Sequence, residues 1–77
     1  MIVYAANDRA ANGRTVSTSA TLDLDAVGEV DRPFFVASSV DGCRMGHSFH
    51  RTMAEAQRAA EGSHAAYLEV HKGRGQR

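Results

Sequence analysis

The chain has one cysteine, one proline and no tryptophan among its 77 residues. With Cys43 alone, no intramolecular disulfide can form, which fits a reducing compartment and makes a cytoplasmic location the expectation. Long apolar runs are also missing. The stretches IVYAA and PFFVA are far too short to cross a bilayer. The start MIVYAAND has no basic segment leading into an apolar one, so no signal peptide is expected. There is no repeat, no low-complexity block and no phosphate-binding glycine loop. A chain this short has room for one modest core and little room for an elaborate catalytic cleft.

Net charge is absent too, but the zero hides an asymmetry. Residues 1–31 hold Arg9 and Arg14 against five acidic side chains, and residues 32–77 hold seven basic against four acidic. Three of those seven, Lys72, Arg74 and Arg77, fall in the terminal HKGRGQR. Without that stretch the second half is neutral. A protein that tracks a nucleic-acid groove draws most of its affinity from phosphate neutralisation and carries a basic excess, which this segment lacks.

The elements follow from local patterns. IVYA reads as a short strand, and Asn12-Gly13 offers the positive φ angles of a type I′ turn. In TVSTSATLDL, Val16, Thr18, Ala20, Leu22 and Leu24 alternate with Thr15, Ser17, Ser19, Thr21 and Asp23, predicting a strand with one buried and one wet face. The acidic loop DAVGEVDRP leads through Pro33 into PFFVASSV. Asp41-Gly42 then predicts a two-residue hairpin turn into CRMGHSFH. Uninterrupted pairing from Val40 and Cys43 sets Met45, His47 and Phe49 opposite Ser38, Val36 and Phe34, a mostly apolar face expected to point inward. The other face would carry Phe35, Ala37, Ser39, Arg44, Gly46, Ser48 and His50. Thr52-Met53-Ala54-Glu55 has capping-box spacing and opens an alanine-rich helix. Gly62 either sits inside a longer helix, the preferred reading, or ends it before a last strand AAYLEVHK. The expected fold is thus α+β: a small antiparallel sheet of three to four strands, as two hairpins, packed on one C-terminal helix. Residues 1–70 form the single domain, and 71–77 are expected as a flexible basic tail.

Candidate chemistry is sparse. Cys43, His47 and His50 lie close in sequence, but their spacing matches no usual zinc arrangement, and His50 falls on the face opposite Cys43 and His47. Cys43 is read as a buried small side chain, and adjacent Ser63 and His64 point apart on a helix. No catalytic residue, metal or cofactor is expected, and the chain is not read as an enzyme.

Val40, Asp41, Gly42, Arg44, Phe49, Thr52, Glu55 and Ala56 together resemble the hairpin-and-helix stretch of arm-type DNA-binding domains of tyrosine recombinases, over residues 33–62. That resemblance implies a sheet entering the major groove, with Ser39, Arg44, Ser48 and His50 on its outer face and Lys72 and Arg74 as further phosphate contacts. Gly42, Cys43, Thr52, Glu55 and Ala56 also look like the turn and helix start of small antitoxins with a partial ribonuclease-H-like plan. In size and plan the chain is similar to small phage-encoded inhibitors of host defence, including anti-CRISPR proteins. The leading expectation is accordingly a non-enzymatic inhibitor or regulator that occupies a partner's surface, with DNA reading by the 34–50 hairpin as the alternative. Phe35 would anchor the contact, with Arg44, His50 and Arg51 at its rim. Asp23, Asp25, Glu29 and Asp31 would oppose a basic nucleic-acid channel on a host defence complex. An unpaired sheet edge also admits a homodimer or a partner's strand. No membrane partner is expected.

Overall fold

A computed structural model describes residues 1–74, with side chains described through His71. Four antiparallel strands, β1 (Ile2–Arg9), β2 (Thr15–Leu22), β3 (Phe34–Val40) and β4 (Cys43–His50), form one open sheet in sequential order. The helix α1 (Met53–Arg74) lies across one face. This is the expected α+β plan, with all four strands present.

Thr52 Oγ1 accepts the Glu55 backbone N–H at 3.2 Å, and the Glu55 carboxylate accepts the Arg51 N–H at 3.4 Å, so the helix starts where the capping pattern predicts. Gly62 is exposed within the helix, which continues through it to Arg74. The helix therefore includes the first four residues of the stretch expected as a tail; residues 75–77 lie outside the described residues.

Turn chemistry sets the two hairpins apart. Asp41 (φ 52°) and Gly42 (φ 86°) make the two-residue turn their sequence predicts. Between β1 and β2, Gly13 (φ 92°) takes positive φ and Asn12 does not. Gly13 N–H bonds the Ala10 carbonyl at 3.0 Å and Ala10 N–H the Arg14 carbonyl at 2.7 Å. The expected type I′ turn is replaced by a three-residue loop closed by glycine, because Asn12 uses its side chain to accept the Arg14 N–H instead. β2 also stops two residues short of the predicted Leu24. There Asp23 caps a 3₁₀ turn, Leu24–Ala26, by accepting the Asp25 N–H.

The largest departure is in β4. Pairing begins as expected with Val40 opposite Cys43 and Ser39 opposite Arg44, but Ser38 then faces Gly46. Met45 is an extra residue, a β-bulge. Because side chains alternate with period two, one inserted residue transfers everything after it to the other face. His47 and Phe49, expected inward, are exposed on the face away from the helix, while Gly46, Ser48 and His50 turn toward the helix side. Gly46 permits this seating: a Cβ there would stand 2.9 Å from the Tyr67 hydroxyl of α1.

The core beneath the helix is two small apolar clusters. Ala20, Val36, Ala56 and Ala60 form one, with Tyr4 and Phe34 against it; Ala10, Val16 and Val40 form the other, under Tyr67 and Leu68. A polar column separates them.

Candidate functional site

That column is the first place to look for chemistry. Thr18 and Ser38 sit opposite each other on β2 and β3 and share a hydrogen bond of 2.8 Å. His64 reaches down from α1, with Nδ1 2.9 Å from Thr18 Oγ1 and Nε2 2.7 Å from an Asp8 carboxylate oxygen. Ser63 completes the row at 2.7 Å from Ser38. The carboxylate of Asp8 accepts from Nε2–H, so in the neutral imidazole Nδ1 accepts from Thr18, Thr18 from Ser38, and Ser38 from Ser63. An acid, a histidine and a hydroxyl in series resemble a nucleophile relay. Thr18, however, is only 3% exposed, and no substrate atom could reach its oxygen. What the column does is satisfy polar groups under a helix whose alanine face fits a sheet at many axial positions. Among the described residues no buried side-chain nitrogen or oxygen lacks a partner. Adjacent Ser63 and His64, expected to point apart, both reach this column through different strands.

The second place is the sheet face that the helix leaves open. Phe35, His47 and Phe49 gather there, with ring centroids 5.7 Å (Phe35–His47), 5.1 Å (Phe35–Phe49) and 6.0 Å (His47–Phe49) apart. The Arg44 guanidinium lies over Phe35 at 5.2 Å from its centroid. Beside this ridge runs an open depression of about 570 Å³, floored by Ala5, Ser17, Ser19 and Ala37. A second one, of about 470 Å³, separates Phe35 and Phe49 from Asp23, Ala26, Val30 and Pro33. Phe49 is 51% exposed and Val30 53%, so apolar surface continues from the strands onto the loop.

The expected protein-binding residues divide accordingly. Phe35 and Arg44 are in direct contact on the open face, and Asp23 lines the depression beside Phe35. Asp25 and Glu29 are exposed in the same β2–β3 connection. His50 is not at the rim. The bulge turns it to the opposite face, where Nε2 meets Ser48 Oγ at 2.7 Å. Arg51 is exposed just past the end of β4. The set expected to read DNA is split the same way: Ser39 and Arg44 lie on the open face, Ser48 and His50 on the other. The side chains of Lys72 and Arg74 lie outside the described residues. Cys43, expected buried, is exposed at the hairpin end. Among the described residues no three histidine, cysteine or acidic side chains form a metal-holding group.

Sequence reasoning missed His47, Phe49 and Val30 as members of the open-face cluster. The available signal was Gly46, since a lone glycine inside a strand marks a bulge or a close approach. Here it stands next to one and makes the other.

At the hairpin end, the Asp41 carboxylate accepts the Thr15 backbone N–H at 2.9 Å and an Arg14 guanidinium hydrogen at 2.7 Å. Those two bonds, the backbone one foremost, hold its pKa below the usual carboxylate value. This contact ties the turn of one hairpin to β2.

No protein-family model matches the chain, and no curated protein or solved structure matches it either. Among the described residues no helix is long and apolar enough to cross a membrane.

Proposed function

We propose that this chain is a non-enzymatic protein-binding domain, an inhibitor or regulator that works by seating its open sheet face on a partner. One observation carries the reading: Phe35, His47 and Phe49 form an aromatic cluster on a face that no part of the described chain covers, with Arg44 laid across it. Aromatic anchors beside an arginine, next to a smooth floor of small residues, are the usual makings of an interface centre. The acidic residues of the β2–β3 connection supply a charged margin, suited to a partner with a basic nucleic-acid channel. Stoichiometric occupation of such a partner, as with small phage anti-CRISPR proteins, is the form of action this surface fits.

DNA reading by the hairpin has less support. Its four residues are divided between two faces, and the three rings pack against one another at tilted and edge-on angles rather than lying apart as platforms for bases.

The test is capture of a partner from bacterial lysate on immobilised protein, with Phe35→Asp and Phe49→Asp as controls. Wild type should retain one partner near equimolar amounts, and both variants, still folded by circular dichroism, should lose it. Saturable, salt-sensitive binding of mixed-sequence DNA by wild type, with no protein captured, would overturn the reading in favour of DNA.

A further inference from the structure

The sheet has two outer edges, β1 and β4, and they are not equivalent. The helix rests mainly on β2 and β3 and leans toward β1 more than β4. At the irregular start of β1, the Val3 carbonyl accepts the Gln57 side-chain amide at 3.0 Å, and Asp8 is tied to His64. The β1 edge is therefore partly closed by the chain's own helix. β4 runs for eight residues with no proline, lysine or acidic residue, the devices that commonly blunt a free edge. Its one irregularity, Met45, lies near its start and leaves Gly46–His50 as a regular strand. Alternate backbone N–H and C=O groups of that run point away from β3.

Charge says what kind of strand fits. From Gly42 to Ala54 there is no acidic residue, while Arg44, His47, His50 and Arg51 all lie there. The two flanks differ as well. On the open face the edge presents His47 and Phe49; on the other it presents Met45 (52% exposed) near Val40 and Cys43, then Ser48 and His50.

We infer that the β4 edge takes up an extended segment of a partner protein as a fifth strand, and that this segment alternates apolar with acidic side chains. The inference rests on the protein-binding reading and names how the partner attaches. Backbone pairing supplies affinity, apolar side chains continue the Phe49–His47 surface, and on the other flank carboxylates fall beside Ser48 and His50, with Arg51 just past the strand. A second copy of this chain fits the edge poorly, because antiparallel two-fold pairing of β4 strands centred on His47 sets His47 against its own counterpart and Arg44 against His50, with no carboxylate to offset them. A nucleic acid would leave the strand's N–H and C=O row unmatched.

The probe is a capped peptide of alternating glutamate and valine, titrated at low salt into isotope-labelled protein and followed by amide resonances. The expected result is saturable shifts and slowed hydrogen exchange centred on Gly46–His50. A lysine–valine counterpart should bind about tenfold more weakly or worse, as should the glutamate peptide to His50→Glu. N-methylation of alternate peptide amides should abolish binding. Shifts centred on β1, equal binding of both peptides, no shift at all, or dimerisation through β4 would each overturn the inference. Capture from lysate separates the two levels: a Phe35-dependent partner with a silent peptide removes only strand addition, whereas loss of both removes the protein-binding reading as well.

Discussion

The two faces of this sheet are made from nearly the same residues and come to opposite ends. On β2 and β3 the helix-side positions are Val16, Thr18, Ala20, Val36, Ser38 and Val40; the outward ones include Ser17, Ser19, Ala37 and Ser39. Both faces mix small apolar and hydroxyl side chains. Under the helix every hydroxyl of the column has a fixed partner, and the alanines meet alanines. On the open face the same residue types form a smooth floor, and the large side chains stand at one side as a ridge. The difference teaches that tolerance to substitution should follow the helix rather than the residue type.

The sharpest way to break that contrast is one substitution made on each face. Ala20 is fully buried against Ala56, Ala60 and Val36. Ala20→Leu should lift the helix or distort β2, lowering stability by about 3 kcal/mol in denaturant titration. Ala37→Leu on the open floor should stay within about 0.5 kcal/mol of wild type. Equal losses would mean that the open face is not open in solution.

A second pair compares hydroxyls. Thr18→Val leaves His64 Nδ1 and Ser38 without their buried partner and should cost about 2 kcal/mol. Ser19→Ala, on the outward side of the same strand, should cost no more than about 0.5 kcal/mol. If Thr18→Val proves as mild as Ser19→Ala, the column does not hold the helix in place.

Smaller in stability, though large for binding, is Phe49→Asp. With half its surface already in water, Phe49 should give up less than about 1 kcal/mol of folding stability while partner capture disappears. A variant that unfolds would instead assign Phe49 to the fold.

The smallest expected effect is at the hairpin end, where Asp41 is held below its ordinary pKa by Thr15 N–H and Arg14. A carboxylate depressed on folding adds stability that is present above its unfolded pKa and is lost as pH falls through the folded value. Thermal melts taken downward through the ordinary carboxylate range and below should therefore show a slightly steeper acid loss in wild type than in Asp41→Asn. Identical acid limbs would remove the contact from the account.

Much of this was legible along the chain because the signals were local. Asp41-Gly42 dictated a tight hairpin, since both central residues must take positive φ. Alternation on β2 named its buried face correctly through Leu22, and the Thr52–Glu55 spacing named the helix start. The candidate site was half legible: Phe35 and Arg44 share the open face as expected, whereas His50 does not.

Sequence by itself determined the element types, the antiparallel order of the hairpins and the side of β2 and β3 that would be buried, because turn geometry and period-two patterning act within a few residues. Tertiary structure alone decided the rest. The Met45 bulge seats Gly46 where an added Cβ would stand 2.9 Å from the hydroxyl of Tyr67, 21 residues further along the chain, and that single insertion exchanged the faces of His47, Phe49, Ser48 and His50. The column from Asp8 to Ser63 joins β1, β2, β3 and α1, and nothing in any one segment announces it. Its members are ordinary polar residues until the helix lies over the sheet, at which point burial makes each one's partner obligatory.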